Sequence, residues 1–279
     1  MRANGGDSTG TCGGGGRIAL YYNAGDFNVL SNVSARGGEK WSGGGGCGTV
    51  YLKQPGQLGN VRIVSHGALV GAWTPLGTPS DQTACFENVV IAGSNVLVMP
   101  EHQLHVVASN IHLQSGVWLA HHPVTADTTY WLDVQAGALT IHGGAKIDVT
   151  ARGFLRGYTQ GNSTNGAATG QSAGSYGGMG ISQAGEANRV YGDYRNPNEH
   201  GSGGGTYWGT AGSGGGLIRI VTGALTNNGV IVADGGAPAG GYPSGSGGGI
   251  RIDATVLAGT GVMRANGGDS TGTCGGGGR

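Results

Sequence analysis

Short triplets of alternating aliphatic residues recur along the chain at nearly constant spacing. Ile218-Arg219-Ile220 is followed 32 residues later by Ile250-Arg251-Ile252, and Ile18-Ala19-Leu20 is followed 32 residues later by Val50-Tyr51-Leu52. Side chains two positions apart in a strand point to the same face, so the first and third residues of each triplet predict an inward-facing pair. We therefore expect two stacks of side chains, one of Ile218, Ile250, Ile18 and Val50 and one of Ile220, Ile252, Leu20 and Leu52.

The first seventeen residues recur without change at the end of the chain. Residues 1–17 and 263–279 both read MRANGGDSTGTCGGGGR, at an offset of 262 residues. Identity at a fixed offset is typical of tandem-repeat proteins. We expect one full copy of a 262-residue repeat followed by the start of the next, in which case Met1 is not an initiator. A short sequence placed artificially at both ends is the alternative.

Parallel strands at a fixed spacing, without an intervening helical pattern, predict the fold class. We expect an all-β, right-handed parallel β-helix, or β-solenoid, that runs continuously over residues 1–279 with about eight or nine coils per repeat. The tetrapeptide GALT recurs at Gly137 and Gly223, 86 residues apart. This distance exceeds one coil, and the excess predicts a Gly-, Ser- and Tyr-rich loop inserted over residues 154–213.

Composition and charge exclude several classes of partner. Glycine supplies 64 of 279 residues, about three times its usual share. The 15 basic and 15 acidic residues cancel, so the chain lacks the electrostatic signature of a protein that binds nucleic acid or an anionic membrane. No stretch reaches the roughly 20 apolar residues of a membrane span. We expect neither nucleic acid as a partner nor a membrane span in this segment.

Runs of glycine precede four successive triplets and should stack on one another. They are either permissive corners between strands or a packing strip in which backbones approach closely, because glycine has no Cβ to hold segments apart. The residues of this glycine strip are Gly13, Gly14, Gly15, Gly16, Gly43, Gly44, Gly45, Gly46, Gly214, Gly215, Gly216, Gly247, Gly248 and Gly249.

The cysteines are candidates for disulfide bonds. Cys274 repeats Cys12, so one copy holds Cys12, Cys47 and Cys85. Cys12 and Cys47 flank equivalent glycine runs 35 residues apart, close to the 32-residue period, and this is the preferred pair. Cys85 could instead pair with Cys47, lie buried, or link neighbouring rods. No CxxC motif occurs, so thiolate binding of a metal is not expected.

The remaining polar residues suggest no catalytic chemistry. Six of the eight histidines fall between His102 and His142, but their spacing matches no helical pair and no zinc pattern, so we expect no metal and no other cofactor. Some parallel β-helices cleave acidic polysaccharides with paired carboxylates. The candidates here, Glu101, Asp127, Asp133 and Asp148, are not fixed by any motif. We expect no enzyme and no catalytic residues, with a polysaccharide lyase or hydrolase as the less favoured alternative.

Three glycine-rich phrases carry a family resemblance. GSYGG at residues 174–178, YGDYRNPNEHGSGGG at residues 191–205 and the glycine run before Ile218-Arg219-Ile220 resemble phrases of large, glycine-rich repeat proteins predicted to be extracellular. The resemblance covers only part of the chain. It implies a secreted or cell-surface repeat protein of unassigned activity and supplies no catalytic residues.

These patterns together predict a structural protein. We expect the repeat of an extracellular fibre or surface stalk whose copies stack end to end, so that the main partner is a further copy of the same sequence, with rods also able to associate laterally. The alternative is a cell-surface adhesin that binds glycan or a partner through the insertion. Its candidate binding residues are Tyr176, Tyr191, Tyr194, Tyr207 and Trp208.

Overall fold

A computed structural model describes residues 1–25, 27–39, 43–68, 70–206, 210–238 and 240–279. This part of the chain contains one four-residue helix, α1 (Val29–Asn32), and fourteen strands. In chain order the strands are β1 (Arg17–Tyr21), β2 (Thr49–Lys53), β3 (Gly59–Val64), β4 (Thr74–Leu76), β5 (Thr83–Ala92), β6 (Val96–Pro100), β7 (His105–Leu113), β8 (Val117–Leu119), β9 (Leu132–Ile141), β10 (Lys146–Asp148), β11 (Leu217–Asn227), β12 (Val230–Val232), β13 (Gly249–Ala258) and β14 (Val262–Arg264).

The strands form two open sheets. The larger has eight strands in the order β1-β2-β3-β5-β7-β9-β11-β13, and the smaller has six in the order β14-β12-β10-β8-β6-β4. From β3 onward, successive strands alternate between the two sheets, so each sheet grows by parallel pairing. Among the strands of the described ranges, only β2 and β3 pair antiparallel.

The prediction of a closed right-handed parallel β-helix with eight or nine coils is wrong. The strands lie in two open sheets with free edges, and the β2–β3 pair reverses the strand direction. The triplet spacing predicts which strands are neighbours, but it does not determine how the segments between them close or whether every pair is parallel.

The predicted stacking of the triplets is confirmed for the two triplets near the end of the chain and for the two near its start. Ile218 pairs with Ile250, and Ile18 pairs with Val50, in parallel register. The inward positions continue into β9, where Leu132 lies beside Ile218, and both side chains are fully buried. Burial of each such side chain stabilises the fold by roughly 1.5–3 kcal/mol, so these stacks contribute a large part of the stability.

The hydrophobic residues form two separate clusters. The larger lies between the two sheets and includes Ile220 of the large sheet and Ile231 of the small sheet. The smaller cluster consists of Ile18, Val33, Ala35, Val50 and Leu52.

The two clusters lie on opposite faces of the large sheet. Residues paired across neighbouring strands point to the same face. Tyr51 pairs with Val61 of the larger cluster, whereas its strand neighbour Val50 belongs to the smaller cluster and must point the other way. The buried face of the sheet therefore changes at the β2–β3 hairpin.

The long connection from β10 to β11 holds the predicted insertion, and its glycine-rich segments pack together without forming strands. Successive amides of Gly214, Gly215 and Gly216 donate to the carbonyls of Phe154 (2.8 Å), Ser246 (2.8 Å) and Val149 (2.9 Å). Three consecutive donors thus reach three different segments, a three-fold arrangement like that of polyproline II rather than the two-fold one of a strand. We call the glycine-rich segments of this connection, together with the segment before β13 that they contact, the glycine bundle.

The structure contains no helix long and apolar enough to cross a membrane within the described ranges.

Candidate functional site

We call a strand of the large sheet, together with the strand of the small sheet that follows it in the chain, a layer. The two copies of the seventeen-residue segment make complementary contacts in the first and last layers of the structure. In the first copy, Ala3 N donates to Ser34 O (2.8 Å) and Gly5 N donates to Arg36 O (2.9 Å). In the second copy, the carbonyls of Arg264 and Asn266, which repeat Arg2 and Asn4, accept from Ala233 N (3.0 Å) and Gly235 N (2.9 Å). One copy therefore uses the edge that faces the following layer, and the other uses the edge that faces the preceding layer.

The segment has the same internal geometry at both places. Gly16 N donates to Ala3 O at 2.7 Å, and Gly278 N donates to Ala265 O at 2.7 Å. The thiols of Cys12 and Cys274 likewise both donate to a serine carbonyl four residues earlier, at 3.6 and 3.4 Å. Because the conformation is shared, one segment could make both sets of external contacts at once.

The last residue of the chain already pairs with β13. Arg279 N donates to Gly248 O (3.0 Å), and Ile250 N donates to Arg279 O (2.8 Å), which is the hydrogen-bond pattern of a parallel pair. Arg279 repeats Arg17, the first residue of β1. The free edge of β13 therefore accommodates the start of a β1 strand in parallel register.

Side-chain oxygens connect neighbouring layers at both ends. The Asp234 carboxylate accepts from Asn266 N (2.8 Å) and from Arg264 Nε (2.7 Å). Asn4, which repeats Asn266, accepts from Arg36 N at 3.2 Å. In both cases a side chain of one layer accepts the amide of the residue 32 positions later, and this ladder would continue through a joint between copies.

Large apolar side chains are exposed in the terminal layers. Leu257 pairs with Leu225, yet 64% of Leu257 is exposed while Leu225 is fully buried, because no further layer covers β13. Both ends share this feature. The exposed residues there are Met1, Tyr21, Tyr22, Phe27 and Leu30 at one end and Val256, Leu257, Val262 and Met263 at the other.

The predicted strip of glycines lies where backbones meet. A Cβ on Gly215 or on Gly248 would fall under 3.0 Å from backbone atoms of a neighbouring segment, as would one on Gly15 or on Gly45. By contrast, a Cβ on Gly14 or Gly43 would meet other atoms only at ordinary contact distances of 3.7 and 3.5 Å. This geometry favours a packing strip over permissive corners for most, though not all, of the run.

All four cysteines are free thiols in the structure. Burial raises the pKa of the Cys47 thiol to about 11, so this residue behaves as a buried hydrophobe rather than a nucleophile. The Cys12 sulfur also lies 3.0 Å from Glu39 O, so Ser8 O and Glu39 O are alternative acceptors for its single proton. The predicted Cys12–Cys47 bridge is therefore not formed here, and Cys85 is exposed.

Of the three candidate tyrosines that the structure describes, only Tyr194 is exposed. Tyr176 is fully buried in the glycine bundle, and Tyr191 donates through its hydroxyl to His200 O at 2.6 Å. Tyr194 is 74% exposed. Tyr207 and Trp208 lie outside the described residues. The phrase around Tyr176 is thus packed, whereas residues 192–196, directly after Tyr191, are exposed.

An open cleft of about 400 Å³ lies where the insertion meets the starts of β9 and β11. Its wall includes Asp127 and Trp131 before β9, Asn198 and Glu199 in the insertion, and Arg219 in β11. Arg219 contacts Asp133 Oδ2 (3.1 Å) and Asn198 Oδ1 (3.1 Å), and its guanidinium carbon lies 5.1 Å from the centre of a Trp131 ring. Sequence reasoning missed this site because its residues are far apart in the chain.

The candidate carboxylates lie in different surroundings in the structure. Of the four carboxylates considered, Asp127 lines the cleft, whereas Asp133 pairs with Arg219 and Asp148 pairs with Lys146 at 3.0 Å. No group of three or more potential metal ligands occurs in the part of the chain that the structure describes.

Two buried histidines serve structural roles beside the cleft. His121 accepts from Leu217 N (3.2 Å) through Nε2 and donates through Nδ1 to His122 O (2.7 Å), so it is neutral. Burial lowers the pKa of His121 well below its ordinary value, and the neighbouring His200 lowers it further. His200 donates to Tyr130 O at 2.7 Å, and burial lowers its pKa to about 4.

No family model, curated protein or solved structure matches this chain.

Proposed function

We propose that the chain is the structural repeat of an extracellular fibre or surface stalk, in which successive copies join by continuing both sheets. The observation that carries the proposal is the complementary use of the repeated segment, whose first copy pairs with Ser34 and Arg36 and whose second copy pairs with Ala233 and Gly235. When one segment makes both sets of bonds, neither sheet has an edge at the joint.

The exposed apolar residues support the same conclusion. Large apolar patches on a soluble protein mark surfaces that bind a partner, and nine of the sixteen large hydrophobic residues exposed in the described part of the chain lie in the layers that a neighbouring copy would cover. Free edges of parallel sheets also invite further strand pairing. The resemblance to glycine-rich extracellular repeat proteins supports a location outside the cell.

A chain of two copies tests the proposal. Residues 1–262 followed by residues 1–279 should form one rod that is roughly 40 Å longer than the single copy, because eight strands separated by about 4.8 Å are added. Small-angle scattering and negative-stain electron microscopy measure this length. Because interfaces between repeats add stability, the longer chain should also melt at a higher temperature.

Two separate particles joined by a mobile linker, each melting as the single copy does, would contradict the proposal. The control is a two-copy chain in which Ala3 of the second copy, at the joint, is replaced by proline. Proline removes the amide that bonds to Ser34 O of the second copy, so the shared segment loses part of its pairing with the second copy while its bonds to Ala233 and Gly235 of the first copy remain, and the joint should weaken.

A further inference from the structure

The cleft has walls that are fixed before any ligand arrives. Asn162 Nδ2 donates to the carbonyls of residues 125 and 126, both at 2.9 Å. Asn198 Oδ1 accepts from Arg219, and Glu199 accepts from Gln160 Nε2 at 3.4 Å. Side chains held by a second contact lose little entropy on binding, so this arrangement is organised for recognition.

Several polar groups of the cleft have unused hydrogen-bonding capacity. Among the described residues, the Asp127 carboxylate and the Asn198 Nδ2 amide make no hydrogen bond and no ion pair. Asn162 Oδ1 and Arg219 Nε also lack a hydrogen-bond partner within the described ranges, but both atoms are buried inside the wall, so a ligand in the cleft does not reach them. The accessible groups of the cleft therefore include both acceptors and a donor, and a ligand with several hydroxyl groups, each both donor and acceptor, matches them.

An aromatic surface accompanies these polar groups. Trp131 is half-buried at the cleft, and the contact with Arg219 fixes its ring. Phe154 and Leu217 line the cleft from the buried side. A sugar ring has a C–H face that packs on an aromatic ring and an edge of hydroxyls, so it is complementary to both parts of this wall.

The charge of the cleft selects against acidic ligands. Asp127 and Glu199 are both acidic, and the positive charge of Arg219 is already engaged by Asp133 at 3.1 Å. Phosphate groups and uronic acids would meet these carboxylates without an unpaired cation among the described lining residues.

We propose that this cleft binds a sugar unit of a neutral glycan, with Trp131 as the stacking surface and Asp127, Asn198 and Glu199 as the groups that bond to its hydroxyls. This binding activity is independent of the joining of copies, since none of the described lining residues belongs to β13 or β14. A fibre built from such repeats would present one glycan site per copy.

Titration of the 279-residue protein with neutral and acidic oligosaccharides tests the proposal. The probes are cellotriose, maltotriose, xylotriose, mannotriose and trigalacturonate, and isothermal calorimetry measures binding. We expect saturable binding of at least one neutral probe and weaker binding of trigalacturonate.

Asp127→Asn should weaken the affinity for the neutral probe about tenfold, the loss expected when a hydrogen bond to a charged group becomes a bond to a neutral one. Trp131→Leu should abolish binding.

The matched control is Glu186→Gln, which removes one negative charge from an exposed residue of the same insertion outside the cleft and should leave affinity unchanged. Circular dichroism establishes that each variant is folded. If Trp131→Leu unfolds the protein, Asp127→Asn decides, since the Asp127 carboxylate makes no hydrogen bond or ion pair with the described residues. Absence of saturable binding at millimolar concentrations of every neutral probe, preference for trigalacturonate, or unchanged affinity in Asp127→Asn would each overturn the proposal.

Discussion

Glycine is required at position 215 by the neighbouring backbone. A Cβ there would lie under 3.0 Å from Ala233 O and Gly248 N. We expect Gly215→Ala to lower the free energy of unfolding by about 2 kcal/mol, the usual cost of overpacking. Gly277→Ala is the control, because a Cβ at Gly277 meets nothing within 4 Å. It should be neutral or slightly stabilising, since alanine restricts the unfolded chain.

Urea titrations followed by circular dichroism measure both changes. Equal effects of the two substitutions would mean that the close approach of backbones in the glycine bundle does not contribute to stability.

The buried His200 predicts a dependence of stability on pH. Its pKa is lowered to about 4 in the folded protein, against about 6.5 when unfolded, because burial disfavours the charged ring. Between these values the unfolded state binds more protons, so the free energy of unfolding is constant above about pH 7 and decreases as the pH falls toward 4. The loss attributable to His200 is at most about 3 kcal/mol.

Urea unfolding at pH 7.5 and at pH 5 checks this. His200→Gln should reduce the difference between the two values, whereas His142→Gln, a substitution at an exposed position, should leave it unchanged. A difference that is the same in wild type and His200→Gln would assign the pH dependence to other groups, His121 first among them.

At the scale of elements, the sequence predicts the neighbours within each run of parallel strands. Ile218 and Ile250, or Ile18 and Val50, are identified by spacing and alternation alone, because burial on one face requires an aliphatic residue at every second position. Spacing carries no information on the path between strands, and this is why the closed β-helix was predicted where two open sheets occur.

The reversal at β2–β3 had a signal in the sequence. Pro55-Gly56 lies between the two strands, and Gly56 has φ +73°, the conformation that the second central residue of a type II turn requires. A proline-glycine pair between two short apolar runs is typical of a tight hairpin. The expectation of parallel strands throughout did not take this pair into account.

The cleft could not be predicted in the same way. Its wall joins Trp131, Asn198 and Arg219, which are brought together only when the insertion folds back on the starts of β9 and β11. Nothing in the local pattern around these residues distinguishes them from other polar positions. The glycine phrases of the insertion were visible, but their role in positioning this wall depends on backbone contacts between distant segments.

At the scale of the whole molecule, Met263 marks the joint between copies. It pairs with Ile231 in the small sheet, whereas its equivalent Met1, at the other end of the structure, faces the following layer, where Met1 O accepts from Ser34 N at 3.1 Å. In a chain of two copies the methionine at the joint would be covered from both sides. At the free end it is 39% exposed.

We therefore expect replacement of this methionine by serine to destabilise the two-copy chain by about 2 kcal/mol more at the joint than at the free end, because the lost burial is larger. Thermal and urea unfolding of the two variants measure the difference. The methionine at the free end of the two-copy chain serves as the control for the methionine at the joint. Equal effects at both positions would contradict a continuous joint.

The change of buried face at β2–β3 determines how such a chain would look along its length. Directly after Arg279, a following copy would place its own Ile18 on Ile250, so the larger cluster of one copy would merge with the smaller cluster of the next. Within that next copy the hairpin then moves the core to the opposite face. The core would therefore lie on opposite faces of the large sheet in consecutive copies. The structure would then repeat every two copies, a distance of about 80 Å along the fibre. Their clefts would open alternately to either side of the fibre.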